Sequence, residues 1–177
     1  MIEKVRKNFY RLCKGKNFSW VPHVESTVKY ALQLAKQFGA DEEVVEISAW
    51  LHDIRKMRGS GEKHHVYGAK DAAKLLREIG YNPDVIEKVR RCILTHSTDK
   101  KYPPKSLEEK ILASADALSH FDSFPSMVES AYRHAEPDGV NEWLLEKYAQ
   151  TYEKMMPYAR RMARPKYNAI KLLLRKR

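Results

Sequence analysis

The chemistry in this chain is concentrated around an adjacent histidine and aspartate in Ala49-Trp50-Leu51-His52-Asp53-Ile54-Arg55-Lys56. A neutral imidazole beside a carboxylate can bind one divalent cation from a single helix end. Donors of the same two types recur at His23, at His64 or His65, at His96 and at Asp116. Three or four of them brought together would complete a site for one or two metals, where a bound water becomes a nucleophile near neutral pH. Asp116 stands in the otherwise apolar run Ile111-Leu112-Ala113-Ser114-Ala115-Asp116-Ala117-Leu118. An unpaired carboxylate buried there would be costly, so a metal or a basic partner is expected. Each donor also has a plainer reading. His52 could cap a helix C-terminus, and His64, His65 and His96 could sit on the surface at helix ends.

The elements that must position these residues are helical nearly throughout, since the apolar residues recur at helical spacing. Helices are predicted over 2–13 and about 21–38, with a break at Gly15-Lys16-Asn17 and Ser19 as a cap. A third is capped by Asp41 and runs to His52-Asp53 near its C-terminal end. After a loop at Arg58-Gly59-Ser60-Gly61, a helix is predicted over about 64–79, and another from Pro83 toward His96. Ser106 with Glu109 resembles a capping box opening a helix through Phe121. Pro125 interrupts the pattern. A helix follows from about Asn141 to Met155, and a short amphipathic one after Pro165, with Tyr167, Ile170, Leu173 and Leu174 on one side. No segment alternates as a strand would, so the fold class is all-α.

With 177 residues the chain is long enough for one domain with a real core. No run of about 18 apolar residues occurs, and Met1–Lys7 lacks a signal-type apolar region. Cys13 and Cys92 form no CxxC motif. Together these lead us to expect a cytoplasmic protein with reduced thiols and no membrane association. The net charge of +10 is uneven: +5 over residues 1–17, +8 over residues 160–177, and −3 for the rest. Basic ends can hold nucleic acid, but no recognition motif accompanies them, and a solvated helix face is the favoured reading.

Five stretches carry a resemblance: His23-Val24-Glu25-Ser26-Thr27-Val28, Trp50 to Lys56, His64-His65-Val66-Tyr67-Gly68-Ala69, Ile93-Leu94-Thr95-His96 and Ala115-Asp116-Ala117-Leu118. They resemble the HD-domain superfamily of metal-dependent phosphohydrolases over about residues 20–125. The resemblance implies a single HD-like domain of 1–177, with a basic N-terminal helix and a C-terminal helical extension flanking that core. It implies His23, His52, Asp53 and Asp116 as the basic metal ligands, with His64 and His96 added where two ions bind and Asp53 bridging them. The spacing to Gly68-Ala69 favours His64, and His65 stays the alternative. Arg55 replaces the usual glycine; it could contact phosphate or point to solvent. Lys56 matches the family lysine and is the stronger phosphate-binding candidate. Glu25 could orient His23 from behind; His120 and His134 match no ligand position, although His120, one turn after Asp116, could line the pocket.

One or two divalent ions are therefore expected, drawn from Mn, Fe, Co, Ni, Zn or Mg. The expected activity is hydrolysis of a small phosphorylated substrate, a phosphomonoester or nucleotide, through a metal-activated water, with Asp53 and Lys56 catalytic. The alternative is a non-catalytic nucleotide-binding or regulatory protein of the same fold, associated with nucleic acid through its basic ends. The sequence leaves the oligomeric state open.

Overall fold

Capping chemistry sets several of the helix boundaries. In the computed structural model, residues 1–14, 20–59, 61 and 63–175 are described. Among them are ten helical segments and no strand. The break at Gly15-Lys16-Asn17, the Ser19 cap and Ser60 of the following loop lie outside the described residues.

Helices α1 (Ile2–Cys13), α2 (Trp20–Phe38) and α3 (Glu42–Leu51) come first. The Asp41 carboxylate accepts the Val44 N–H at the start of α3. His52 closes α3, and Asp53 opens the single turn α4 (Ile54–Met57). Next come α5 (His64–Ile79), which ends on Gly80 at φ 94°, and α6 (Pro83–Thr95), with its proline at the first turn. In α7 (Leu107–Asp122), the Ser106 hydroxyl accepts the Glu109 N–H. The reciprocal half of the capping box is missing, because the Glu109 carboxylate turns to the Lys105 N–H at 2.9 Å and the Arg91 guanidinium at 3.3 Å.

Two stretches depart from the sequence expectation. Pro125 does not leave a gap; it sits in the first turn of α8 (Phe124–His134), where its missing N–H costs nothing. The C-terminal helix does not begin after Pro165. Helix α10 (Pro157–Leu174) follows α9 (Val140–Glu153) and runs straight through that proline. An interior proline costs about 3 kcal/mol. Burying Ile170 and Leu174, each worth roughly 1.5–3 kcal/mol, offsets it. Leu173, expected on the same side, is 69% exposed.

Helices α2 and α7 share the most extensive interface, with α3 and α6 packed against them, α5 on α6, and α10 on α7 and α9. Leu34, Ile47, Leu51, Ile93, Ile111 and Leu112 fill the centre. Helix α7 is buried on almost every face, so each polar side chain on it must find a partner inside. Cys92 is buried and Cys13 partly buried, with the Cys13 thiol 3.7 Å from Met57 Sδ. No helix among the described residues is long and apolar enough to cross a membrane.

Candidate metal centre

Six helical segments bring their donors to one point. His23 comes from α2, His52 from the end of α3, Asp53 from the start of α4, His64 from the first residue of α5, His96 from the end of α6 and Asp116 from the middle of α7. All are buried except His64, which is partly exposed. Their donor atoms form three overlapping groups: His23, His52 and Asp53; Asp53, His64 and His96; and His23, Asp116 and His120. Within each group the atoms lie within 4.8 Å of one another.

Asp53 divides its two oxygens between two histidine pairs. Its Oδ2 is 3.7 Å from His23 Nε2 and 3.6 Å from His52 Nε2. Its Oδ1 is 3.8 Å from His64 Nε2 and 3.9 Å from His96 Nε2. Asp116 Oδ1 lies 3.4 Å from His23 Nε2, 3.5 Å from His52 Nε2 and 3.4 Å from His120 Nε2.

The imidazoles are oriented from behind. His52 Nδ1 lies 2.8 Å from the Ala49 carbonyl, and His96 Nδ1 lies 2.7 Å from the Ile93 carbonyl. Each Nδ1 must therefore carry the hydrogen, which leaves the Nε2 lone pair facing inward. Ser119 Oγ donates to the Asp116 carbonyl at 2.7 Å, so at 2.9 Å it accepts from His23 Nδ1. The His23 and His52 Nε2 atoms then face each other at 3.1 Å, lone pair to lone pair.

That arrangement calls for a cation. The Asp53 Oδ1 atom is buried and makes no hydrogen bond, although Lys56 Nζ is 3.0 Å away. Two imidazole nitrogens bound to one metal at about 2.0–2.1 Å would lie ~3.0–3.4 Å apart, which matches the His23–His52 spacing. The donor set of imidazoles and carboxylates suits a first-row divalent ion. The residues present fit one metal, and through Asp53 they fit two.

Electrostatics point the same way. Burial disfavours both carboxylates, yet Lys56 and the histidines hold Asp53 ionised, and Lys154 and His120 hold Asp116 well below the usual carboxylate range. Burial keeps His96 neutral, and pushes His64 down to about 4 and His120 down to about 3. At His52 burial is outweighed by Asp53 and Asp116, and the ring's pKa rises. The centre therefore attracts a positive charge to the spot where His23 and His52 meet.

Several residues are placed differently from the sequence expectation. Arg55 does not line the cavity over the centre; its guanidinium lies over the Tyr67 ring at 5.3 Å and 3.5 Å from Asp71. Arg55 is two residues after Asp53, so it points away from the face that carries Asp53 and Lys56, three residues apart. His65 turns to Asp99 at 3.2 Å, not to the centre. Glu25 accepts the Tyr10 hydroxyl at 2.6 Å and does not touch His23. Thr27 and Ser119 hold His23 instead, through its backbone carbonyl and its Nδ1.

Lys154 and His120 also belong to the site: Lys154 was not a candidate, and His120, expected only as a pocket-lining residue, lines the cavity. Lys154 Nζ is 2.6 Å from Asp116 Oδ2 and 3.1 Å from the His96 carbonyl. His120 stacks on His23 at 4.8 Å. The signal for His120 was its position one turn after Asp116. Lys154 offered none, lying 38 residues from its partner. Above the centre opens a cavity of about 870 Å³, walled on one side by the metal-ligand candidates and on the other by α8 and α9.

Comparison with known proteins supplies the lineage. An uncharacterized protein of Methanocaldococcus jannaschii is 34% identical over 113 residues, covering 55% of this chain and 64% of that protein. A tRNA (cytidine(56)-2'-O)-methyltransferase of Picrophilus torridus is 29% identical over 58% of this chain and 32% of its own length. The chain thus spans less than two thirds of both. A symmetrical bis(5'-nucleosyl)-tetraphosphatase of Bacillus subtilis is 28% identical over 76% of this chain and 78% of that enzyme. Among solved structures, Bacillus subtilis YpgQ shares the fold at a TM-score of 0.73 and 17% identity, over 97% of this chain and 90% of that one. The HD domain family matches residues 21–120, more than half of the sequence and the stretch that holds all six ligand candidates, and the chain belongs to that family.

Proposed function

We propose that this chain is a metal-dependent phosphohydrolase acting on a small phosphorylated substrate of nucleotide type. The observation that carries the reading is the division of Asp53, whose two oxygens face separate histidine pairs. His23, His52, Asp53 and Asp116 would hold one ion, and His64 and His96 with Asp53 a second. Bound divalent metal supplies an activated water and Lewis-acid stabilisation of the phosphoryl group.

The chain's own residues do the rest. Lys56 lines the cavity beside Asp53 and offers its ammonium to the phosphate oxygens. Lys154 keeps Asp116 ionised and aimed at His23 and His52. The Asp53 and Asp116 carboxylates on the metal side are buried, which strengthens their interactions where phosphoryl transfer needs them. The nucleotide part of the reading is supported by the tetraphosphatase relative.

The test is hydrolysis of p-nitrophenyl phosphate and a panel of nucleotides by protein purified without chelator, with Mn, Co, Ni, Zn and Mg added in turn. We expect turnover that EDTA abolishes and metal restores. Metal-loaded protein that cleaves none of these esters would defeat the reading. In that case the second reading, a non-catalytic binding module of the HD fold, leads. It is favoured by the match to an RNA-modifying enzyme about three times as long as the shared segment, and by the basic ends.

A further inference from the structure

The cavity wall opposite the ligand candidates carries a pattern of its own. Trp143, Lys147 and Thr151 line the cavity from α9, and Lys154 does so from the C-cap of that helix. Their spacing of four, four and three residues puts them on one helix face. Lys154 sits at the metal end, against Asp116. Lys147 lies seven residues back, about 10 Å along the axis, and Trp143 about 6 Å further out. At that outer end the Trp143 ring stacks on His134 of α8, with centroids 5.7 Å apart and planes at 17°.

Lys147 makes no hydrogen bond or ion pair among the described residues. Lys56 and Lys154 share the cavity with it, and both are already engaged with carboxylates. An ammonium held half-buried beside two others is a place for an anion that the protein itself does not provide. The order along α9 is therefore metal end, unpartnered cation, aromatic pair.

We propose that this stripe recognises a nucleoside carrying two or more linked phosphates, with Lys147 binding a phosphate beyond the one at the metal end and the Trp143–His134 pair stacking on the base. The proposal deepens the hydrolase reading and rests on it for which phosphate is cleaved, though not for what is bound. Burial and the two neighbouring lysines lower the Lys147 pKa, a strain that a bound phosphate relieves. The stack is sequence-tolerant chemistry, since any base offers a π face.

The test is calorimetric binding to the metal-loaded full chain, using probes without a hydrolysable bridge: methylphosphonate, methylenediphosphonate and α,β-methylene-ADP. Wild type should bind methylenediphosphonate about ten- to a hundredfold tighter than methylphosphonate, the size of one charge-assisted contact. Lys147→Met should reduce that preference at least tenfold, and Lys147→Arg should keep it. His134→Ala and Trp143→Leu should each narrow the gap between α,β-methylene-ADP and methylenediphosphonate about tenfold, as loss of one stacking contact would. His134 is exposed, so that variant keeps the base arm testable if Trp143→Leu unfolds. An unchanged diphosphonate preference in Lys147→Met overturns the phosphate assignment. An unchanged gap in a folded aromatic variant overturns the base assignment. These binding preferences without any ester hydrolysis would defeat the catalytic reading and leave this one standing. Hydrolysis without the preferences would do the reverse.

Discussion

The two walls of the cavity differ in how their polar groups are satisfied. On the wall built by α2 to α7, nearly every buried polar atom is held by another: Ser119 by His23 and Asp116, His52 by Ala49, His96 by Ile93. Among the described residues, the exception at the ligand cluster is Asp53 Oδ1. The wall built by α8 and α9 is bonded within α8, Arg133 to Glu129 and His134 Nδ1 to the Ser130 carbonyl. It presents to open space an aromatic pair and an amine, Lys147 on α9, that has no hydrogen bond or ion pair among the described residues. A wall whose groups fix one another can hold donors in place for an ion. A wall whose groups are left available can select what is brought to that ion. The family match ends at residue 120, between the two.

The comparison is broken most severely by Asp53→Ala. We expect loss of hydrolysis by at least a hundredfold, since even groups behind a metal ligand are worth tenfold to a hundredfold. Residual activity within tenfold of wild type would mean that the first wall is not the reactive one. Lys154→Met comes next, because Lys154 joins the walls through Asp116. A kcat loss of roughly tenfold to a hundredfold is expected, with metal still detectable. An unchanged kcat would show that the two walls work independently.

The first wall also predicts a pH dependence of stability. His64, His96 and His120 are held below their ordinary values, His64 to about 4 and His120 to about 3. In the unfolded chain they take up protons near pH ~6.5. The stability owed to keeping them neutral is complete above that pH and is lost as the pH falls toward 4. His52, raised, works in the opposite sense but is one against three. Chelator-treated protein should therefore lose several degrees of Tm between pH 7 and 5, and a flat or rising Tm would contradict this. The smallest effect is expected of Arg55→Ala. That side chain lies against Asp71 and Tyr67 and outside the cavity, so kcat/KM should stay within about twofold. A tenfold loss would return Arg55 to the phosphate.

How much was legible follows the same division. His23, His52, Asp53, His64, His96 and Asp116 could be read through the stretches that resemble the HD-domain superfamily, and Asp116 also through its place in an apolar run. Lys147 and Lys154 could not. A lysine on an amphipathic helix looks like solvated surface until packing shows which face turns inward. Helix α8 was hidden because Pro125 was read as a break, although proline is at home in a first turn. Helix α10 was shortened because Pro165 was given its intrinsic cost without the burial of Ile170 and Leu174 that outweighs it. Placing Leu173 on one side with Ile170 and Leu174 was a phase error on that same helix.

The central claim, that the Asp53 centre holds divalent metal, is tested most directly by elemental analysis of protein purified without chelator, with Asp53→Ala prepared alongside. The account predicts one or two transition-metal equivalents in wild type and their loss in the variant. Wild type that stays metal-free after reconstitution with Mn, Fe, Co, Ni and Zn, or a variant that retains its full complement, would contradict it.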